Sequence, residues 1–299
     1  MKKTWKIIRK ICNGWVDDSV KDIQIDGETF SSHSDIAEKF NHFFVNVANQ
    51  LAESLPPSTN SPYEYVVRSE NMLSEFTPVT PLECSQAIEN LKNTKQNIDH
   101  VSVELFKKFH HIFVNVVCDL INLSFATAIY PEFCKHATVI PLFKKGDPSN
   151  VSNYRPITNL PFLGKIFEQC IMNRLINHAT TNNIFASNQF SFTRGKSTQD
   201  AIILLTEKIY DCFNEPETFC LNVFVDFQKC FDTIDHEILL GKLALYGIIG
   251  TALNLLENYL QNRTQSVKIG NCFSSPLPIT KGVFQGIKLG PLLFFIFHQ

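Results

Sequence analysis

Ile36, Phe40, Phe43, Val47 and Leu51 recur at the spacing of one helix face, with Ser34 and Asp35 before them as caps, so a helix is predicted that terminates at Pro56-Pro57. Thr80-Pro81-Leu82-Glu83 is a capping box with proline at the first helical position, followed by the inward stripe Cys84, Ala87, Ile88 and Leu91. From Ser102 a further helix is predicted with Val103, Phe106, Phe109, Phe113, Val116, Val117 and Leu120 on one side, ending before Pro131. At Ala137 the period shortens. Thr-Val-Ile-Pro-Leu-Phe reads as a strand that runs into the turn residues Gly146-Asp147-Pro148, a hairpin with a basic tip. Leu163, Ile166, Phe167, Cys170, Ile171, Leu175 and Ile176 mark another helix. Ile202, Leu205, Ile209 and Phe213 mark one that starts at Ser197 or Thr198, and both are expected to pack on a sheet.

Residues 221–226 read as a strand buried on both faces, with Asp226 at its carboxyl end. Asp235 then caps a helix carrying Leu239, Leu240, Leu243 and Tyr246, stopped by Gly247. Val267-Lys268-Ile269 and Cys272-Phe273 flank Gly270-Asn271, the pattern of a two-residue hairpin, and the chain continues to Gly282-Val283-Phe284-Gln285-Gly286. Helices and strands in this mixture predict an α+β fold. Residues 56–81 hold five of the 14 prolines among Ser, Thr and Asn, a linker composition that puts a boundary near residue 76.

Composition narrows the class. The 299 residues are 44% apolar and 19% charged, which supports one or two cores and excludes wholesale disorder and collagen-like repeats. With 27 Lys plus Arg against 29 Asp plus Glu, the net charge of -2 gives no global field for nucleic acid, so any capture of it has to be local. Phe is abundant at 26, yet the greasiest run, residues 289–297, is too short and proline-broken to span a bilayer. Residues 1–10 carry Lys2, Lys3, Lys6, Arg9 and Lys10 with no apolar core behind them, unlike a secretory signal, and an intracellular setting, nucleus or cytoplasm, is expected. The nine cysteines form no Cys-x-x-Cys pair and read as free, mostly buried thiols.

Asp226 is the sharpest chemical signal, because a carboxylate closing an apolar strand is costly unless it is hydrogen-bonded or metal-bound. A hard Mg²⁺ ion takes such oxygens and keeps positions for substrate phosphates; a helix cap or turn is the competing reading. Between residues 135 and 175, six cations (Lys135, Lys144, Lys145, Arg155, Lys165 and Arg174) face two acids, a surplus suited to a triphosphate or a nucleic-acid backbone, or simply to a solvated hairpin. Residues 189–198 combine aromatic rings, Arg194, Lys196 and Gly195 ahead of a helix, a setting for backbone phosphate, but lack the spacing of a P-loop. His100, His110 and His111 have no ligands at zinc spacing around them.

Taken in order, Lys144-Lys145-Gly146-Asp147-Pro148, Asn153-Tyr154-Arg155-Pro156-Ile157, Gln189-Phe190-Ser191-Phe192, Arg194-Gly195-Lys196-Ser197-Thr198, Val225-Asp226-Phe227, Phe231-Asp232-Thr233-Ile234-Asp235-His236 and Gly282-Val283-Phe284-Gln285-Gly286 resemble the successive blocks of reverse transcriptases of non-LTR retrotransposons, the jockey-like LINE group in particular. The resemblance implies fingers and a partial palm over residues 136–299, a helical N-terminal extension over 76–135 and a helical connector over 1–75, without a thumb. It implies an RNA-directed DNA polymerase taking an RNA template, a DNA primer and deoxynucleoside triphosphates, with Mg²⁺ or Mn²⁺ and no membrane. By the same resemblance Asp226 and the Phe227 carbonyl bind metal, and Phe231 is a steric gate against a ribose hydroxyl. Lys144, Lys145 and Arg155 grip the triphosphate, Gln285 and Gly286 lie against nucleotide and template, and Arg194, Lys196 and Gly282 contact template or backbone.

Phe284 and Ile287 stand where the family has Pro and Ser, Ser191 replaces a usual Gly, and Asn97 stands for a Gly before Ile98-Asp99. The family's aromatic-x-Asp-Asp block is not met before Gln299, so negligible polymerase activity is expected of this chain alone. The alternatives are a catalytically silent RNA-binding module and a non-functional retrotransposon remnant.

Overall fold

A computed structural model describes residues 22–25, 27–54, 56, 59–92, 102–191, 193 and 195–298. The basic start at residues 1–10, Cys12, Asn97 to Asp99, His100, Phe192 and Arg194 lie outside the described residues. The fold is mixed α and β.

Strands β1 (Ile23–Ile25) and β2 (Glu28–Phe30) pair antiparallel, and helix α1 (His33–Glu53) follows. Ser32 is the N-cap and makes no side-chain cap bond, while Ser34 and Asp35 fall inside the first turn rather than before it. Asp35 there still suits the positive end of the helix. The main sheet runs in the order β4-β3-β5-β6, built from β3 (His136–Phe143), β4 (Tyr154–Asn159), β5 (Arg263–Ile269) and β6 (Cys272–Phe273), with β7 (Leu277–Ile279) also paired to β5. The β3–β4 hairpin pairs Leu142 with Arg155, β3 and β5 run parallel with Val139 beside Val267, and Gly270-Asn271 closes the β5–β6 turn. Helix α1 covers the sheet: Ile36, Ala37, Phe40 and Phe44 share a core with Val139, Tyr154, Val267 and Ile269. Asn41 and Gln265 satisfy each other inside it, the Gln265 amide donating to Asn41 Oδ1 at 3.0 Å and Asn41 donating to the Gln265 carbonyl at 3.2 Å.

The second and larger core is helical. It joins α2 (Pro81–Glu89), α3 (Val103–Lys108), α4 (His110–Thr127), α5 (Phe162–Thr181), α7 (His236–Leu245), α8 (Gly250–Leu260) and α9 (Leu289–His298) through residues such as Ile88, Ile121, Ile166, Phe167, Leu239, Leu255 and Leu293. Residues 66–79 do not behave as a free linker. Their backbone is strapped to the α7–α8 turn by Ser69 N–H to Leu245 O, Leu73 N–H to Gly247 O and Ile249 N–H to Leu73 O, and Phe76 and Val79 are buried.

Three expectations are corrected. The single helix from Ser102 is two, broken at Phe109 (φ -109°, ψ 12°), where the His110 ring turns back to the Lys107 carbonyl at 2.6 Å. The break rotates the buried face to Val117, Cys118, Ile121 and Phe125, and leaves Phe109, Phe113, Val116 and Leu120 exposed. Helix α5 packs against α2 and α9 rather than on the sheet, and α6 (Thr198–Asn214), which starts in a full Ser197–Asp200 capping box, buries no residue. Residues 221–227 form no strand and no buried layer: Val223 is 76% and Phe224 82% exposed. A strand needs a neighbour for its N–H and C=O groups, and no described strand lies alongside this one, so its apolar side chains have nothing to pack against. Of the described cysteines, Cys84, Cys118, Cys134 and Cys170 are buried, while Cys212, Cys230 and Cys272 are half-buried and Cys220 is exposed.

Candidate functional site

Three chain segments meet beside the sheet: the β3–β4 hairpin, the turn at residues 228–235 and the loop at residues 281–286. Asp235 opens α7 by accepting from the N–H groups of Glu237 and Ile238, which fixes the end of the turn. The loop is laced to it by Gly282 N–H to Ile234 O at 2.7 Å and Val283 N–H to Phe231 O at 2.8 Å. His236 Nε2 donates to the Gly282 carbonyl at 2.8 Å, and Lys281 pairs with Asp235 at 3.7 Å. Gly282 has φ +84°, and a Cβ there would stand 2.7 Å from the Asp232 carbonyl oxygen, so only glycine lets the two backbones touch. On its other side the loop is held to β4 by Thr158 N–H to Gln285 O at 2.8 Å.

Asp232 sits at the junction. Gln285 Nε2 donates to its Oδ1 at 2.7 Å, and Oδ2 is buried with no hydrogen-bond partner among the described residues. Burial pushes this carboxyl up to about 6, against the opposing pull of the Gln285 bond and the Lys229 charge. Lys229, in the left-handed region at φ +51°, reaches back to the carbonyls of Tyr154 (3.4 Å) and Ser152 (3.5 Å) and lies 5.4 Å from the centre of the Phe43 ring. Burial lowers its pKa; Asp232 opposes that, and the nearby positive charges of Lys144 and Arg155 add to it. Lys144 and Arg155 of the hairpin thus act on Lys229, which in turn faces the buried Asp232 carboxylate, a grouping of positive charge that suits a polyanion. The enclosed space between these segments, lined by Pro156, Thr158, Asp232, Lys281 and Gln285, is only about 30 Å³, room for about one water. A larger ligand has to lie on the open side, where Lys144, Lys145 and Arg155 are exposed.

Other candidates stand apart. Asp226 is exposed and reaches the cluster only electrostatically, through Cys230, whose thiol is raised by burial and, to a lesser extent, by Asp232 and Asp226. No ion pair joins Asp226 to Lys144 or Lys145 among the described residues. The Phe227 ring meets His298 at 4.9 Å, and Phe231 lies against Phe294 at 4.7 Å. Gly286 has φ +91° and rests against Ile157. Lys196 donates to the Ser187 carbonyl and lies over the Phe190 ring at 5.3 Å, holding its own loop together, and Arg194 lies outside the described residues. Phe284 and Ile287 are buried with Ala137 and Leu160, so the two departures from the family pattern face inward.

Lys229, Lys281 and the structural use of Asp232 and His236 were not singled out from sequence. The signal that could have found Lys229 is its place as the one cation between Asp226 and Asp232.

A family model described as "Reverse transcriptase (RNA-dependent DNA polymerase)" matches residues 143–299. The chain belongs to the reverse transcriptase family. It is 29% identical over 279 residues, 90% of this chain, to "Probable RNA-directed DNA polymerase from transposon BS" of Drosophila melanogaster, and 28% identical over 84% of this chain to "RNA-directed DNA polymerase from mobile element jockey" of the same fly. "Transposon TX1 uncharacterized 149 kDa protein" of Xenopus laevis is 26% identical over 73% of the chain. The reverse transcriptase domain is thus of the jockey-like, non-LTR kind. The chain spans 28% of the length of each of the two fly relatives and 16% of the Xenopus one.

Reverse transcriptase domains use divalent metal ions. The residues described do not by themselves fit one: no group of three or more His, Cys, Asp or Glu gathers among them where a metal could be held, and Asp226 stands alone in solvent. Nor is any helix among the described residues long and apolar enough to cross a membrane.

Proposed function

We propose that this chain is the fingers and part of the palm of an RNA-directed DNA polymerase over residues 136–299, preceded by a helical extension over 76–135 and a connector over 1–75. The observation that carries this reading is the grouping of Lys144 and Arg155 with Lys229, which faces Asp232 beside the Gln285 loop. In it Lys144, Lys145, Arg155 and Lys229 take the phosphates of an incoming deoxynucleoside triphosphate. Gln285 and Gly286 lie along the nucleotide, Phe231 flanks its sugar, and Gly282, Lys196 and Arg194 belong to the side of the RNA template and DNA primer. Asp226 and the Phe227 carbonyl supply part of a ligand set for Mg²⁺ or Mn²⁺ that the described residues do not complete, and an intracellular site of action fits these partners. The chain by itself is therefore proposed to bind nucleotide and nucleic acid while extending primers negligibly. Primer extension on an RNA template, run with filter binding at two salt concentrations, tests this. Salt-sensitive binding with negligible extension is expected; robust extension, or no binding at either salt, would overturn it.

The second reading, an RNA-binding module without catalysis, is favoured by the solvent-exposed, unpaired setting of Asp226. Its signature is RNA affinity that Asp226→Ala leaves unchanged, together with no affinity for deoxynucleoside triphosphates.

A further inference from the structure

Two thiols face each other at the end of α6. Cys212 sits in the last turn of that helix, and Cys220 lies in the exposed run that leads to Asp226. The chain between them doubles back: Glu217 takes the left-handed conformation at φ +59°, and Thr218 Oγ1 shares its proton between the carbonyls of Cys212 at 2.5 Å and Glu215 at 2.7 Å. That return lets the Cys212 thiol donate to the Cys220 sulfur, which also accepts from Asn222 Nδ2 at 3.3 Å. The bond to Cys220 raises the Cys212 thiol, and desolvation and the acids Glu215 and Asp211 add to this, so Cys212 keeps its proton and stays the donor. Cys220 is the exposed member of the pair, and Cys212 is half-buried. The backbone of Cys220 belongs to no helix or strand, so no ladder holds its sulfur away from Cys212.

We propose that Cys212 and Cys220 form an oxidant-reactive dithiol that a peroxide closes to a disulfide. Cys220, the sulfur that solvent reaches, gives its proton to water and attacks hydrogen peroxide. The O–O bond breaks, hydroxide leaves and takes up a proton as the first water, and Cys220 becomes a sulfenic acid. Cys212 then attacks the Cys220 sulfur, the S–O bond breaks, and the hydroxyl departs with the Cys212 proton as the second water. Two thiols and one peroxide thus give one disulfide and two waters, the sulfurs losing the two electrons that the peroxide gains. The new bond closes residues 213–219 in a loop and ties the start of the run carrying Asp226 to the end of α6. Cys84, Cys118, Cys134 and Cys170 are buried and shielded from the same oxidant.

The test uses the full 299-residue chain, reduced, freed of reductant and treated with a small excess of hydrogen peroxide. Remaining thiols are blocked with N-ethylmaleimide, and the chain is digested with chymotrypsin without reduction. Cuts after Phe213 and Phe219 are expected to leave the pieces carrying Cys212 and Cys220 joined, about 2 Da lighter than the two reduced peptides together, until dithiothreitol separates them. Cys212→Ser is expected to abolish the joined species and to leave Cys220 as a sulfenic acid that dimedone traps. Cys220→Ser is expected to abolish it as well, with Cys212 labelled by dimedone about tenfold more slowly than Cys220 is in the first variant. Thermal melting of the reduced variants is the folding check. Recovery of Cys212 and Cys220 as maleimide adducts after peroxide would overturn the proposal. So would Cys220 bridged mainly to another cysteine or to a second chain, or dimedone labelling that is equal in the two variants.

Discussion

The guanidinium of Arg263 lies 4.5 Å from the centre of the Phe284 ring, over the residue that replaces the family's proline. Arg263 is 3% exposed and also lies 4.5 Å from the Tyr259 ring, and it donates to the Tyr259 carbonyl at 3.0 Å. Tyr259 in turn donates to buried Glu168 at 2.7 Å. The loop carrying Gln285 is thus anchored from beneath by an aromatic and ionic stack that proline could not make. Phe284→Ala removes a buried ring and a desolvated cation–π contact, and is expected to cost about 3 kcal/mol in denaturant unfolding. A loss under about 1 kcal/mol would show that the ring is not part of the core.

Arg263 is also the positive charge that acts most strongly on Glu168, whose carboxyl is fully buried, raised by that burial and held down by Arg263 and Tyr259. Glu168 Oε2 has no hydrogen-bond partner among the described residues. Arg263→Met leaves that acid without its countercharge and is expected to destabilise the fold by about 3 kcal/mol or more. Glu168→Gln placed on the same background is expected to return part of the loss, and thermal melting of the single and double variants measures both.

Asp232 gives stability a pH dependence of definite sign. Its carboxyl titrates near 6 in the fold against 3.8 as a free side chain, so between those values the native protein holds a proton that the unfolded chain has released. The contribution is full below about pH 4 and is lost as pH rises through about 6, by up to about 3 kcal/mol. Asp232→Asn cannot ionise. It is therefore expected to be more stable than the parent at pH 7 by about 1 to 3 kcal/mol, with the difference closing by pH 4. Urea unfolding at the two pH values checks this, and a difference independent of pH contradicts it.

The exposed run through residues 219–227 is expected to be the first site of proteolysis. Phe219, Leu221, Phe224 and Phe227 all stand in solvent without a ladder to protect the backbone. Limited chymotrypsin followed by intact-mass analysis should show cuts here before any within residues 136–181. Val223→Lys should reduce aggregation without moving the melting midpoint.

Short-range signals were the legible ones. Gly270-Asn271, Gly146 within the β3–β4 hairpin, the helix start at Ser197, the Asp235 cap and the helix through Ile166 and Leu175 each depend on residues a few positions apart, and each stands where the pattern placed it. Residues 221–226 carry strong β preference, but a strand is made by a partner, and local pattern holds no information about where that partner lies. The site failed in the same way. Lys229 meets the Tyr154 carbonyl across 75 residues and Asp232 meets Gln285 across 53, so only the fold reveals that the motifs quoted separately form one cluster. The jockey-like resemblance stood in for that missing information, because the order of the blocks encodes a three-dimensional arrangement that periodicity cannot.

The most direct test of the central claim, that Lys144, Arg155 and Lys229 form one polyphosphate site beside Gln285, is photo-crosslinking. The unmodified chain is irradiated with a deoxynucleoside triphosphate carrying an aryl azide on its γ-phosphate, and the labelled peptides are identified by mass spectrometry. The account predicts label within residues 144–155 and 228–236, abolished by excess unlabelled dATP and strongly reduced in Lys229→Ala. Label confined to other parts of the chain, or label in these peptides that dATP does not compete, would contradict it.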